Sequence, residues 1–146
     1  MVRVAVLVVL ASALAPAMPA SSGASGGEIH VPQDVPTLQL AIARAQPGDT
    51  IVLAAGTYPG GNVVPSDKHD ITIEGADRND VVLDGADTRK NGILVRADGV
   101  SIRNLSAHNF LLNAFYWEGG DRFRASYLTA WNVAGYGIYT EDSVQG

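Results

Sequence analysis

Leu105-Ser106-Ala107-His108-Asn109 and Leu128-Thr129-Ala130-Trp131-Asn132 are one phrase written twice, 23 residues apart. In each copy apolar and polar residues alternate over a few positions, and an asparagine closes the run. Alternation is the pattern of a strand with one buried face, and asparagine favours the turn that ends it. Asp98 and Asp121 recur at the same step of 23, and Ile71 and Ile93 at 22. A repeat of roughly 20–29 residues built from short strands and tight turns points to a β-solenoid. One winding cannot bury its inward side chains alone. Windings stacked about 4.8 Å apart pair every strand with its copies above and below. Like residues then form columns, and Asn109 and Asn132 become rungs of a structural asparagine ladder.

The same short strands extend on both sides of this pair. Ile51-Val52-Leu53, Val63-Val64, Ile71 with Ile73, Val81 with Leu83, Ile93 with Val95 and Val100 with Ile102 are separated by Asp, Asn or Gly. The exception is Thr37 to Ala45, where Leu38, Ala41, Ile42 and Ala45 share a helical face. Thr37 or Asp34 can cap its start, and Pro47-Gly48-Asp49 ends it. A short amphipathic helix placed before all the coils serves as a lid over the apolar end and open strand edge of a solenoid. An antiparallel sandwich also has short strands, but it explains neither the fixed step nor the lone helix. The expected fold class is therefore all-β, a right-handed parallel β-helix of roughly four coils with one N-terminal capping α-helix. After Gly137-Ile138-Tyr139 only residues 140–146 remain, with no covering helix, so the solenoid is expected to be truncated at its C-terminus.

Of the 146 residues, those from Val4 to Leu14 form an apolar run broken only by Ser12. Arg3 precedes it, and small residues with Pro16 and Pro19 follow, which is the composition of a secretory signal peptide. The run is too short to cross a bilayer as a helix. The expected organisation is a signal peptide and cleavage region over 1–24, a linker over 25–27, a strand and capping helix over 28–49, and incomplete β-helix coils over 50–146. The expected location is secreted, periplasmic or at the cell surface, with no stable membrane insertion once the leader is cut. Loss of Arg3 leaves 9 Lys and Arg against 15 Asp and Glu, a balance of −6. That balance excludes nucleic acid as a partner, since phosphate contacts need clustered Lys and Arg. There is no cysteine, so neither disulfides nor a lipid anchored through cysteine can form.

Val31-Pro32-Gln33-Asp34-Val35-Pro36-Thr37-Leu38-Gln39, Ala41-Ile42, Pro47-Gly48-Asp49-Thr50-Ile51-Val52-Leu53 and Gly56-Thr57-Tyr58 resemble the N-terminal cap and first coil of the pectin-lyase-like right-handed β-helix superfamily. Val100-Ser101-Ile102-Arg103-Asn104-Leu105 resembles its repeated coil. The likeness runs from about Glu28 to the C-terminus. It implies the fold and a polysaccharide partner, but the superfamily also hosts non-catalytic proteins. The motifs of its enzymes are incomplete here. Tyr58 is followed by Pro59-Gly60 rather than the x-Glu of pectin methylesterases, and no Gly-His-Gly of polygalacturonases occurs. Tyr136-Gly137-Ile138-Tyr139 copies only two residues of the Tyr-Gly-x-Asp-Pro-His segment of epimerases. The expected function is thus a polysaccharide-interacting repeat protein without a complete catalytic site. The alternatives are the N-terminal part of a lyase or epimerase, and a scaffold or metal-site maturation protein.

No catalytic residue can be named, and the substrate-binding candidates are Tyr116, Trp131, Asp98 and Asp121. Aromatic rings stack on the apolar faces of sugars, while Phe115 and Phe123 are expected in the core. Asp98 and Asp121 would stack one coil apart with Arg122 and Arg124 nearby, so calcium is the one cofactor they suggest. Glu118, Glu141 and Asp142 are further acids, most simply solvated turn residues. His30, His69 and His108 have no ligand-like spacing, so no metal site is expected from them. The uncovered last coil gives a route to edge-to-edge self-association.

Overall fold

The computed structural model describes residues 26–144. Its elements are β1 (Glu28–Val31), α1 (Leu38–Arg44), β2 (Thr50–Leu53), β3 (Gly56–Pro59), β4 (Asn62–Val64), β5 (Thr72–Gly75), β6 (Val81–Asp84), β7 (Asn91–Val95), β8 (Ser101–Phe110), β9 (Asn113–Glu118), β10 (Arg124–Val133) and β11 (Ile138–Glu141). The strand pairs are parallel, and the chain passes through three faces in turn. The first stacks β1, β2, β5 and the leading halves of β8 and β10. The second stacks β3, β6 and the trailing halves of β8 and β10. The third stacks β4, β7, β9 and β11. This is a parallel β-solenoid of about five turns, matching a right-handed β-helix with an N-terminal helix. It has one turn more than expected because β1 and α1 are themselves the first winding, with the helix standing where two strands would run. The proposed leader, residues 1–24, lies outside the described residues.

Inward columns make the core. Ile51, Ile73 and Ile102 stack on the first face, Leu83 and Ala107 on the second, and Val64, Val95 and Trp117 on the third, all fully buried. Phe115 is buried, whereas Phe123 is half-buried and packs against the core from the last turn. Corners are held by residues with left-handed backbone. Asn104 (φ 60°) and Tyr127 (φ 51°) bend β8 and β10 from the first face to the second. Asn109 (φ 60°) and Asn132 (φ 50°) lie near the ends of the same strands. Asparagine tolerates this region because its short amide bonds locally.

The N-terminal end is blocked by four separate devices. The Thr37 hydroxyl accepts from the Leu40 N–H at 3.3 Å and starts α1. Leu38, Ala41 and Ile42 then bury the helix face over the core. The Gln39 side chain pairs with the edge of β4: its Oε1 accepts from the Val63 N–H at 2.8 Å and its Nε2 donates to the Val63 carbonyl at 3.1 Å. On β1 the His30 N–H donates to Asp34 Oδ2 at 2.7 Å, and the His30 carbonyl accepts from Asp34 N at 2.8 Å. On β3, Pro59 has no N–H to offer. At the other end β10 and β11 carry no further strand among the described residues.

Candidate functional site

The four sequence-selected binding residues fall into three places. Trp131 projects from the second face in register with Asp84 and His108. Its ring lies over the His108 imidazole, centroids 4.6 Å apart and planes 11° apart, and the residue is 46% exposed. His108 Nδ1 is 3.9 Å from Asp84 Oδ1. Beside this column Asn132 donates to Asn109 Oδ1 at 2.6 Å, and Asn109 donates to Asp84 Oδ1 at 3.0 Å. The ladder therefore descends one coil further than the asparagines alone, into an aspartate. The Ala86 N–H, then the Asn109 amide, hold the Asp84 carboxyl below its ordinary range.

Asp98 and Asp121 sit in the corner between the third and first faces. Asp98 Oδ1 accepts from the Asp121 N–H at 3.0 Å, and Asp121 Oδ1 from the Val144 N–H at 2.9 Å. Each carboxylate thus fastens the next turn while keeping its second oxygen for other partners. Beside them runs a column of left-handed residues, Gly48, Asp70, Gly99 and Arg122. Gly99 leaves room for the Asp70 side chain, because a Cβ on it would come within 1.9 Å of Asp70 Oδ1 and push that carboxylate aside. Arg122 reaches across that gap to Asp70 at 3.2 Å, and His69 contacts Asp70 at 2.9 Å. The His69 contact and then the Arg122 charge lower the Asp70 pKa. Together with Ser66, Arg96 and Asp98 these residues line an open groove of about 400 Å³.

Tyr116 points outward from the third face and is half-buried. Its hydroxyl donates to Glu141 Oε2 at 2.5 Å and lies 3.5 Å from Glu118 Oε1. Its ring meets that of Tyr139, in register one turn on, at 5.2 Å. Tyr139 in turn stacks with Tyr136 at 5.1 Å and 14°, and Tyr136 is 62% exposed. Glu118 joins this aromatic platform to the groove, because its other oxygen accepts from Arg96 Nε at 2.5 Å. One continuous strip of contacts therefore runs from Tyr136 through Tyr139, Tyr116, Glu118 and Arg96 into the groove. Tyr116, Asp98 and Asp121 belong to it or border it; Trp131 lies on another face.

The hydrogen bond to Glu141, followed by desolvation, raises the Tyr116 pKa well above the ordinary value of about 10. A phenol whose folded pKa is raised stabilises the fold fully below about pH 10, and that contribution fades as the pH climbs toward the folded value. The stability difference between the wild type and Tyr116→Phe is thus expected to stay level through neutral pH and shrink in strong alkali. Denaturant unfolding at a series of pH values measures this. A difference that grows with pH would mean that Glu141 does not accept this proton.

His30, His69 and His108 are spread over separate windings, and among the described residues no group of three or more His, Asp or Glu could hold a metal ion. The groove itself was not legible beforehand. Ser66, His69, Asp70, Arg96 and Arg122 come from turns of unequal length, so no motif joins them in sequence. No family model and no curated protein matches the chain.

Proposed function

We propose that the chain is an exported, non-catalytic glycan-binding β-solenoid, of the kind that its resemblance to the pectin-lyase-like superfamily suggests. The observation that supports this reading is the unbroken strip from the stacked tyrosines to the charged groove. Ring faces cover the apolar C–H surface of a sugar, and the flanking carboxylates and guanidiniums exchange hydrogen bonds with its hydroxyls. A groove of about 400 Å³ is also within the common range for small-ligand sites, about 300–1,000 Å³. The polar groups of the strip are engaged with one another, Tyr116 with Glu141, Arg96 with Glu118, and His69 and Arg122 with Asp70, an arrangement that suits holding a ligand.

A glycan array followed by calorimetric titration tests the proposal. Binding is expected, and Tyr136→Ala is expected to weaken it about tenfold, the equivalent of ~1.4 kcal/mol for one lost ring contact. Tyr127→Ala is the control, since Tyr127 is 73% exposed but belongs to the first-to-second corner. It should leave affinity unchanged. Equal losses in both variants, or no retention of any glycan, would sink the reading. Appearance of unsaturated-sugar absorbance, with or without calcium, would show an enzyme instead.

A further inference from the structure

Taking that reading of the strip as its base, we infer that the ligand is an uncharged glycan rather than a polyuronide. The positive charge along the strip is already committed. Two guanidiniums lie along the strip, and each is paired: Arg96 with Glu118 at 2.5 Å, and Arg122 with Asp70 at 3.2 Å. His69 is also placed against Asp70. Against them stand the carboxylates of Asp70, Asp98, Glu118, Asp121 and Glu141. Asp98 and Asp121 engage one backbone N–H each, and Glu141 engages the Tyr116 hydroxyl, so none of these three has its charge cancelled by a guanidinium.

A uronate entering this strip would bring a carboxylate to a surface whose uncancelled charge is already negative. It would have to displace Glu118 or Asp70 from its arginine, and the displaced acid would remain nearby. Like charges at this range oppose binding even when partly screened. A neutral sugar meets the opposite situation. Its hydroxyls donate, and ionised carboxylates are acceptors only, so Glu141, Asp98 and Asp121 all offer free oxygens to it. The tyrosine faces are indifferent to the presence of a uronate group. Electrostatics therefore sets the choice between two ligands of the same shape.

The experiment titrates the intact chain with neutral β-1,4-linked hexose oligosaccharides and with uronate oligosaccharides of equal length, at low salt and with a chelator present. The neutral series is expected to bind at least tenfold more tightly. Glu118→Gln, which releases Arg96 and removes one negative charge, is expected to narrow that ratio severalfold by improving uronate binding. Raised salt is expected to narrow it as well. Equal or tighter binding of the uronates in the unmodified protein would overturn the inference and leave the glycan-binding reading standing. So would uronate binding that calcium restores to the level of the neutral series. Binding of neither series would overturn the glycan-binding reading itself, and the inference with it.

Discussion

Trp117→Ala is expected to destabilise the protein by about 3–5 kcal/mol, the usual cost of emptying a large aromatic site in a core. The indole is fully buried in the inward column of the third face and meets the half-buried Phe123 ring at 5.3 Å. One feature separates it from an ordinary core aromatic. Its Nε1–H has no acceptor among the described residues. A buried donor left without a partner costs about 1–3 kcal/mol. Trp117→Phe removes that donor while keeping most of the ring, so its loss of packing is partly offset. It should cost far less than the alanine change, about 1.5 kcal/mol or below. Urea unfolding of the three proteins decides the matter. A phenylalanine variant as unstable as the alanine one would mean that the indole N–H is satisfied after all.

The second large effect lies at the end of β8. The Phe110 ring is almost completely buried in a slot formed by three glycines of the coils above it. A Cβ on Gly60 would fall 2.2 Å from the Phe110 ring, so its obstacle is a side chain. A Cβ on Gly85 would fall 2.1 Å from the Asn109 carbonyl oxygen and 2.5 Å from the Phe110 ring, so its nearest obstacle is backbone and only its second is the ring. Phe110→Ala alone is expected to cost about 3–5 kcal/mol. Gly60→Ala should cost about 1–3 kcal/mol by overpacking, and most of this should vanish once Phe110 is alanine. Gly85→Ala should lose only the part of its cost that the ring imposes and keep the rest in that background, because the carbonyl cannot withdraw without breaking the strand pairing. The expected coupling is then about 1 kcal/mol or more for the first pair and smaller for the second. Equal coupling for both pairs would contradict the packing described.

The register of the last turns was legible from residue spacing alone. Leu128 pairs with Leu105 and Ala130 with Ala107, the partners that the repeated phrase puts together. Its signal is clean because this coil is 23 residues long and carries no insertion, with Arg124 opposite Ser101. The step from Ile71 to Ile93 has a different meaning. Ile71 leads into β5 on the first face, whereas Ile93 lies in β7 on the third, so the interval runs around one winding instead of between two. That winding is longer, since Thr72 opposes Ser101, 29 positions on. The extra residues sit in outward loops, which leave no trace in the period of the core. The same irregularity concealed the groove. Asp70 and Arg122 are 52 residues apart in sequence and two windings apart in space. Only a backbone trace puts them together. Tyr116 and Trp131 were both sensible aromatic candidates, but alternation fixes which way a ring points within its own strand. It does not say which of three faces that strand occupies.

The plugs over His30 and Val63, with the missing donor at Pro59, have a bearing on how molecules of this protein can meet. A fibre of such columns would need each top to accept the next bottom. At β1 and β4 Asp34 and Gln39 already occupy the edge, so head-to-tail growth would have to displace them. Removing the Gln39 amide is the change that would reopen the sealed edge of β4, leaving the Val63 N–H and carbonyl open to a strand from another molecule.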